Sequence, residues 1–228
     1  MPPIMRIIEK IPCDQKQPMV EAHRPNPYHE IQSLSALRIM DSHVRSLRQV
    51  TGVIFDMDGT LVLSDLDFAR IRAEAEVPEE QSVLDYLETA PEKKRRKAER
   101  VLRTHERRAA RDCSLHPDVP RLLAVLREEG FRLGLLTRNC RDSVTEVLNR
   151  FDLRFDCCLS REDAPPKPAP APVRKMARMW DLRPEETMVV GDYIFDLHAG
   201  REAGAVTVLI RSERNTHFAE EADIVIAR

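Results

Sequence analysis

Val53-Ile54-Phe55-Asp56-Met57-Asp58-Gly59-Thr60-Leu61-Val62 is the stretch whose reading decides the fold. Its apolar opening reads as a buried strand, and Gly59 as the abrupt end of that strand. Alternation along an extended segment puts Asp56 and Asp58 on the same side. Two carboxylates crowded at a strand end repel each other, so the arrangement calls for a cation. With no His or Cys nearby, hard oxygen ligands point to Mg²⁺. The bland reading is an ordinary strand followed by an Asp-Gly turn. Against it, D-x-D-G-T arises by chance in roughly one chain of this length per thousand.

The stretch resembles the hhhhDxDGT signature of the haloacid dehalogenase-like hydrolases. That resemblance implies that Asp56 is a nucleophile and Asp58 an acid/base. Three further stretches match the family's later motifs in order. Phe131–Leu136 reads as a strand, and Thr137-Arg138-Asn139 follows at its carboxyl end. A hydroxyl beside a helix N-terminus makes a good anion site, although a Thr capping the next helix would look the same. The resemblance assigns the phosphoryl oxygens to Thr137 and its adjoining backbone N–H groups, and places Gly59, Arg138 and Asn139 among the substrate- and phosphate-binding residues. Ala164-Pro165-Pro166-Lys167-Pro168-Ala169-Pro170 reads as a stiff extended loop around one lysine. Taken alone, that lysine would be a solvated charge. The family's K-P-x-P motif implies that Lys167 binds phosphate and neutralises the nucleophile. Gly191-Asp192-Tyr193-Ile194-Phe195-Asp196 matches G-D-x-x-x-D. The implied metal site takes the Asp56 carboxylate, the Asp58 backbone carbonyl and the Asp192 carboxylate. Asp196 orients a metal water or Lys167 from behind.

The expected fold is α/β: a Rossmann-like parallel sheet with a small α-helical cap inserted after the first strand. The 228 residues suit one such domain with an inserted subdomain. Residues 52–63 and 116–228 are expected to form the catalytic core and residues 64–115 the cap. Further strands are expected at Phe155–Leu159, Thr187–Val190, Val206–Ile210 and Ile224–Ile226. The insertion reads as wholly helical, with faces at Phe68, Ile71 and Ala75, then at Val83, Leu84 and Leu87, and a third helix over Glu92–Arg111. That third helix carries Lys93-Lys94-Arg95-Arg96-Lys97 followed by five more arginines. A solvated face with i, i+4 pairs such as Glu99–Arg103 explains it most simply. Steering of an anionic substrate comes second. Nucleic acid comes last, because no aromatic interleaves the run for base stacking. Residues 1–51 form an N-terminal extension, Pro-rich and irregular over 12–29, with a helix over Tyr28–Val50. The extension either packs on the catalytic domain or serves targeting or a partner, and its acidic residues weaken a transit-peptide reading. Relatives usually add a helix after the last strand, so the edge near Arg228 is either bare or covered by the extension helix.

The net charge of −2 exerts no global pull towards nucleic acid or membrane. No apolar run approaches the roughly 20 residues of a spanning helix, and Met1-Pro2-Pro3-Ile4 opens no secretory signal. Five cysteines, odd in number and without metal spacing, read as reduced thiols in a cytoplasmic protein. The function that the resemblance implies is Mg²⁺-dependent hydrolysis of a small phosphorylated metabolite, a phosphoglycolate-like phosphomonoester, through an aspartyl-phosphate. The alternatives are a phosphomutase, or a non-catalytic or nucleic-acid-binding protein that uses the basic helix. Oligomeric state is left open.

Overall fold

The computed structural model describes residues 49–227. In chain order its strands are β1 (Gly52–Phe55), β2 (Val62–Leu63), β3 (Ser114–Leu115), β4 (Arg132–Leu136), β5 (Cys157–Leu159), β6 (Thr187–Gly191), β7 (Val206–Arg211) and β8 (Ile224–Ala227). Its helices are α1 (Phe68–Ala75), α2 (Val83–Thr89), α3 (Glu92–Asp112), α4 (Val119–Glu128), α5 (Arg141–Arg150), α6 (Ala171–Met179) and α7 (Ile194–Ala203). Six strands form one sheet in the order β5-β4-β1-β6-β7-β8, with every pairing parallel. This is the expected α/β sheet.

The strands are apolar at successive positions because both faces of the sheet are covered. Val53 and Phe55 of β1 turn to one side, where Leu133, Leu135 and Met188 join residues of α4 and α5 such as Leu123, Leu126 and Val147. Ile54 turns to the other side and packs with Val189, and with Val173 and Met176 of α6 and Ala199 of α7. Cys157 and Cys158 split between the two cores in the same way. They are free thiols, as are Cys113 and Cys140. Trp180 lies across the sheet over Gly134, where a Cβ would stand 2.7 Å from the indole. A parallel sheet brings all its carboxyl ends to one edge, and the loops after β1, β4, β5 and β6 meet there.

The polypeptide between β2 and β3 holds α1, α2 and α3, with an apolar cluster of its own that includes Ile71, Val83, Tyr86, Ala98 and Leu102. One detail departs from expectation. The segment is not helical to its end: Ser114–Leu115 pairs antiparallel with Val62–Leu63, and the His116 N–H donates to the Leu61 carbonyl at 2.9 Å. The insertion therefore leaves and re-enters through one short ladder. Two-residue strands carry no periodicity to read, which is why the helical pattern ran on through them. α3 has 21 residues and spans about 30 Å. Its first half packs in the insertion cluster, whereas Ala110 near its end lies in the main core.

Val50 is buried in the main core. The rest of the extension helix expected over Tyr28–Val50, apart from Gln49, lies outside the described residues, as do the Pro-rich leader and Cys13. Among the described residues no helix is long and apolar enough to cross a membrane.

Candidate active site

Strand geometry persists one residue past β1. The Asp56 N–H donates to the Val190 carbonyl at 2.9 Å, so the Asp56 side chain emerges at the carboxyl edge of the sheet. The chain then turns sharply. The Met57 carbonyl accepts from the N–H groups of Leu61 and Val62 at 2.9 and 3.0 Å, and the Gly59 N–H donates to the Val62 carbonyl at 2.8 Å. Gly59 has φ +75°, and a Cβ there would lie 2.1 Å from an Asp192 carboxylate oxygen. Both the left-handed backbone and the approach of Asp192 require glycine.

Lys167 reaches this edge from the loop after β5. Its ammonium donates to Asp56 Oδ1 at 2.6 Å, to Asp196 Oδ1 at 2.5 Å and to the Leu136 carbonyl at 2.9 Å. Its three donors are thereby satisfied, and the side chain is 4% exposed. Burial alone would push the ammonium pKa down, but the Asp196 and Asp56 carboxylates outweigh it and hold the lysine above its ordinary value. Burial also drives the Asp196 carboxyl upward, against the pull of Lys167. The loop that carries Lys167 is not extended as expected. It closes a turn in which the Ala169 N–H donates to the Pro166 carbonyl at 3.1 Å, around a cis Lys167–Pro168 bond. Proline's tertiary amide makes that geometry accessible, and it forms the turn type with cis proline at the third position.

Asp58 faces elsewhere. Asn139 donates to its Oδ2 at 2.5 Å, and the Ser64 hydroxyl donates to its Oδ1. Burial, then the Asp56 charge, push the Asp58 carboxyl up to about 6 against those two hydrogen bonds, with a smaller push from Glu106. Both oxygens of this acid are thus fixed by neighbours, and it sits close to Asp56 without touching Lys167.

Thr137 and Asn139 are buried at the end of β4, and the Thr137 hydroxyl accepts from the Asn139 N–H at 3.2 Å. The helix that follows departs from the anion-site reading of this motif. At the start of α5, the Cys140 N–H donates to Glu106 Oε2 at 3.2 Å and the Arg141 N–H donates to Glu162 Oε2 at 2.8 Å. Carboxylates of the protein itself therefore occupy those donors at the helix N-terminus. Arg138, between Thr137 and Asn139, turns its guanidinium over the ring of Phe195 at 4.4 Å from the centroid.

Carboxylate oxygens of Asp56, Asp192 and Asp196 all lie within 4.8 Å of one another. Asp196 is spoken for, by Lys167 on one oxygen and by the Tyr193 N–H at 3.2 Å on the other. Asp56 and Asp192 are the hard oxygen donors that face each other, and this donor set fits a small divalent cation such as Mg²⁺. The Asp58 carboxylate, held by Ser64 and Asn139, is outside the cluster. Any share of Asp58 in such a site therefore falls to its backbone carbonyl.

Three residues at this edge escaped the sequence reading. Ser64, the first residue after β2, holds the acid. Asn215 is buried; it donates to the Asp192 carbonyl at 2.7 Å and to the Ile210 carbonyl at 2.9 Å, anchoring the loop after β6. Glu106 of α3 is 3% exposed and forms an ion pair with Arg161. Its position in a basic run disguised it as a dilution of positive charge. The basic helix itself is laced by ion pairs, few of them the expected i, i+4 type. Lys97 meets Glu76 at 2.5 Å, Arg103 meets Glu162 at 2.7 Å and Arg107 meets Asp142 at 2.9 Å. A cleft of about 560 Å³ between α3 and α5 is lined by residues such as Arg107, Asp142 and Arg150 and includes none of Asp56, Asp58, Thr137, Lys167, Asp192 or Asp196.

A doubly covered parallel sheet with an acidic, lysine-bridged edge belongs to the α/β class that works at strand tips. The chain belongs to the haloacid dehalogenase-like hydrolase family, whose model matches residues 53–210. It is 32% identical over 174 residues to a haloacid dehalogenase-like hydrolase domain-containing protein of Arabidopsis thaliana, covering 71% of each chain. It is 28% identical over 184 residues to a phosphoglycolate phosphatase of Nitrosococcus oceani, covering 69% of this chain and 82% of that one. Its fold matches the crystal structure of a predicted phosphoglycolate phosphatase from Haemophilus somnus with a TM-score of 0.61, at 22% identity, over 78% of this chain and 93% of that one.

Proposed function

We propose that this chain is a Mg²⁺-dependent phosphatase that hydrolyses a small phosphorylated metabolite, a phosphoglycolate-like phosphomonoester. The observation that carries this reading is the division of labour among the carboxylates. Asp56 is bridged to Asp196 by Lys167 and faces Asp192, whereas Asp58 is held apart by Ser64 and Asn139. A nucleophile needs its charge balanced, and an acid needs a proton. These two environments supply those different needs. The relative named phosphoglycolate phosphatase supports the substrate class.

In the first step an Asp56 oxygen attacks phosphorus. The bond from phosphorus to the leaving oxygen breaks, and Asp58 donates its proton to that oxygen. In the second step Asp58, now a carboxylate, takes a proton from water. The water oxygen attacks the aspartyl-phosphate, releasing inorganic phosphate and restoring Asp56. Lys167 and the Thr137 hydroxyl balance charge on the phosphoryl oxygens. A Mg²⁺ held by Asp56, Asp192 and the Asp58 carbonyl would add positive charge at the same place. Residues 64–115 act as the cap that shields the reaction from bulk water. The test is hydrolysis of a panel of phosphorylated metabolites with Mg²⁺, with excess chelator and with Mg²⁺ restored. Activity is expected to vanish and return. Full activity in chelator would refute the metal-dependent reading.

A further inference from the structure

Arg138, placed among the substrate- and phosphate-binding residues by the family resemblance, is given no step in the mechanism above. Thr137 and Asn139 on either side of it are buried and engaged. Arg138 is partly buried, and its guanidinium lies over the Phe195 ring at 4.4 Å. Its Nε is buried and has no hydrogen-bond partner among the described residues. No carboxylate of the described residues forms an ion pair with it, although Asp85 of α2, Asp196 of α7 and Asp56 at the tip of β1 act on it from a distance. Asp85 belongs to the insertion, Asp56 follows β1 and Asp196 lies in the first turn of α7.

A buried guanidinium N–H without a partner is costly to hold. The stacking on Phe195 fixes its plane and leaves its edge available, the geometry that suits a bidentate anion. Lys167 donates to the Asp56 carboxylate, and on the phosphatase reading it is the cation assigned to the reacting phosphoryl group. Arg138 follows Thr137 at the carboxyl end of β4 and stacks on Phe195 of α7, at the edge that holds Asp56 and beside residues that the phosphatase reading places around the substrate.

Resting on the phosphatase reading above, we infer that Arg138 is a specificity residue that binds a second anionic group, a carboxylate or a second phosphate, on the leaving-group portion of the substrate. The substrate class narrows accordingly to phosphomonoesters with a second anion a few bonds from the ester oxygen. Phe195 positions Arg138 for this task.

The experiment compares matched probes on the full chain with Mg²⁺. 2-Phosphoglycolate, inorganic pyrophosphate and fructose 1,6-bisphosphate carry the second anion; 2-hydroxyethyl phosphate and p-nitrophenyl phosphate do not. The wild type is expected to favour at least one anion-bearing probe over 2-hydroxyethyl phosphate by about tenfold or more in kcat/KM. In R138Q that ratio is expected to collapse to about one, and in R138K to recover in part because charge returns without the fork. F195L, which removes the stacking surface and leaves the arginine, is expected to lower the same ratio by a smaller factor. Hydrolysis without preference in the wild type overturns the inference and leaves the phosphatase reading standing. A preference that survives in R138Q, or an equal loss on every probe, also overturns it, the latter by placing Arg138 on the reacting phosphoryl group. Inactivity of the wild type on every probe overturns the phosphatase reading itself.

Discussion

Two buried cation–carboxylate contacts sit a few residues apart at the top of the sheet and differ in kind. Lys167 bridges Asp56 and Asp196; Asp56 and Lys167 come from loops after strands of the core, and Asp196 from the first turn of α7. Arg161 pairs with Glu106, which comes from the insertion helix α3. The first contact is poised: Asp56 also faces Asp192, and one lysine balances two carboxylates. The second is closed. Glu106 spends one oxygen on Arg161 and the other on the Cys140 N–H, tying α3 to the start of α5. Burial of charge alone therefore does not mark a catalytic group; what separates the two is whether the carboxylate retains something to do once paired.

This contrast can be broken most sharply at Lys167. K167M leaves two carboxylates buried side by side, and we expect turnover to fall by about 10³-fold or more. Stability should fall by roughly 3 kcal/mol, the usual cost of breaking a buried pair. With the lysine gone only the Tyr193 N–H still opposes the upward push on Asp196, so part of that loss is relieved as pH falls and the carboxyl takes up a proton. Denaturant titration at two pH values, beside kinetics, separates the two effects.

E106Q should reverse the proportions. It strands Arg161 and weakens the donor tie to Cys140, so a stability loss of about 3 kcal/mol is expected, with kcat of the folded protein lowered less than about tenfold. If turnover disappears from an E106Q protein of normal stability, the division between poised and closed pairs is wrong.

The smallest effect belongs to the exposed start of α3. Its cations are laced to acids such as Glu76 and Glu92, and exposed pairs of this kind contribute little. Replacing Lys94 and Arg95 by Gln should change KM less than about twofold between low and moderate ionic strength. A large, salt-sensitive rise in KM would restore substrate steering as the task of this helix.

The same contrast explains what was legible from residues alone. Asp56, Asp192 and Lys167 could be read because each sits at the tip of an apolar strand or in a proline-bounded loop, and local sequence places it there. The central strands were legible for the same reason: an apolar run covered on both faces needs no partner to be recognised. Glu106 was hidden because its role depends on Arg161, 55 positions away. Ser64 and Asn215 are short polar residues in loops, with no local signal separating them from ordinary turns. β2 and β3 are too short to show alternation. The occupied N-terminus of α5 was misread because the carboxylates that fill it, Glu106 and Glu162, come from other elements.

The central claim is that Asp56 carries the phosphoryl group, and acid-quenched mass spectrometry during turnover tests it most directly. Wild-type protein mixed with Mg²⁺ and a turned-over phosphomonoester, then quenched and digested, should yield a peptide heavier by about 80 Da, with the modification on Asp56. D56N should show neither the modified peptide nor turnover. Phosphate found on a different residue, or turnover by verified D56N near the wild-type rate, would contradict the account.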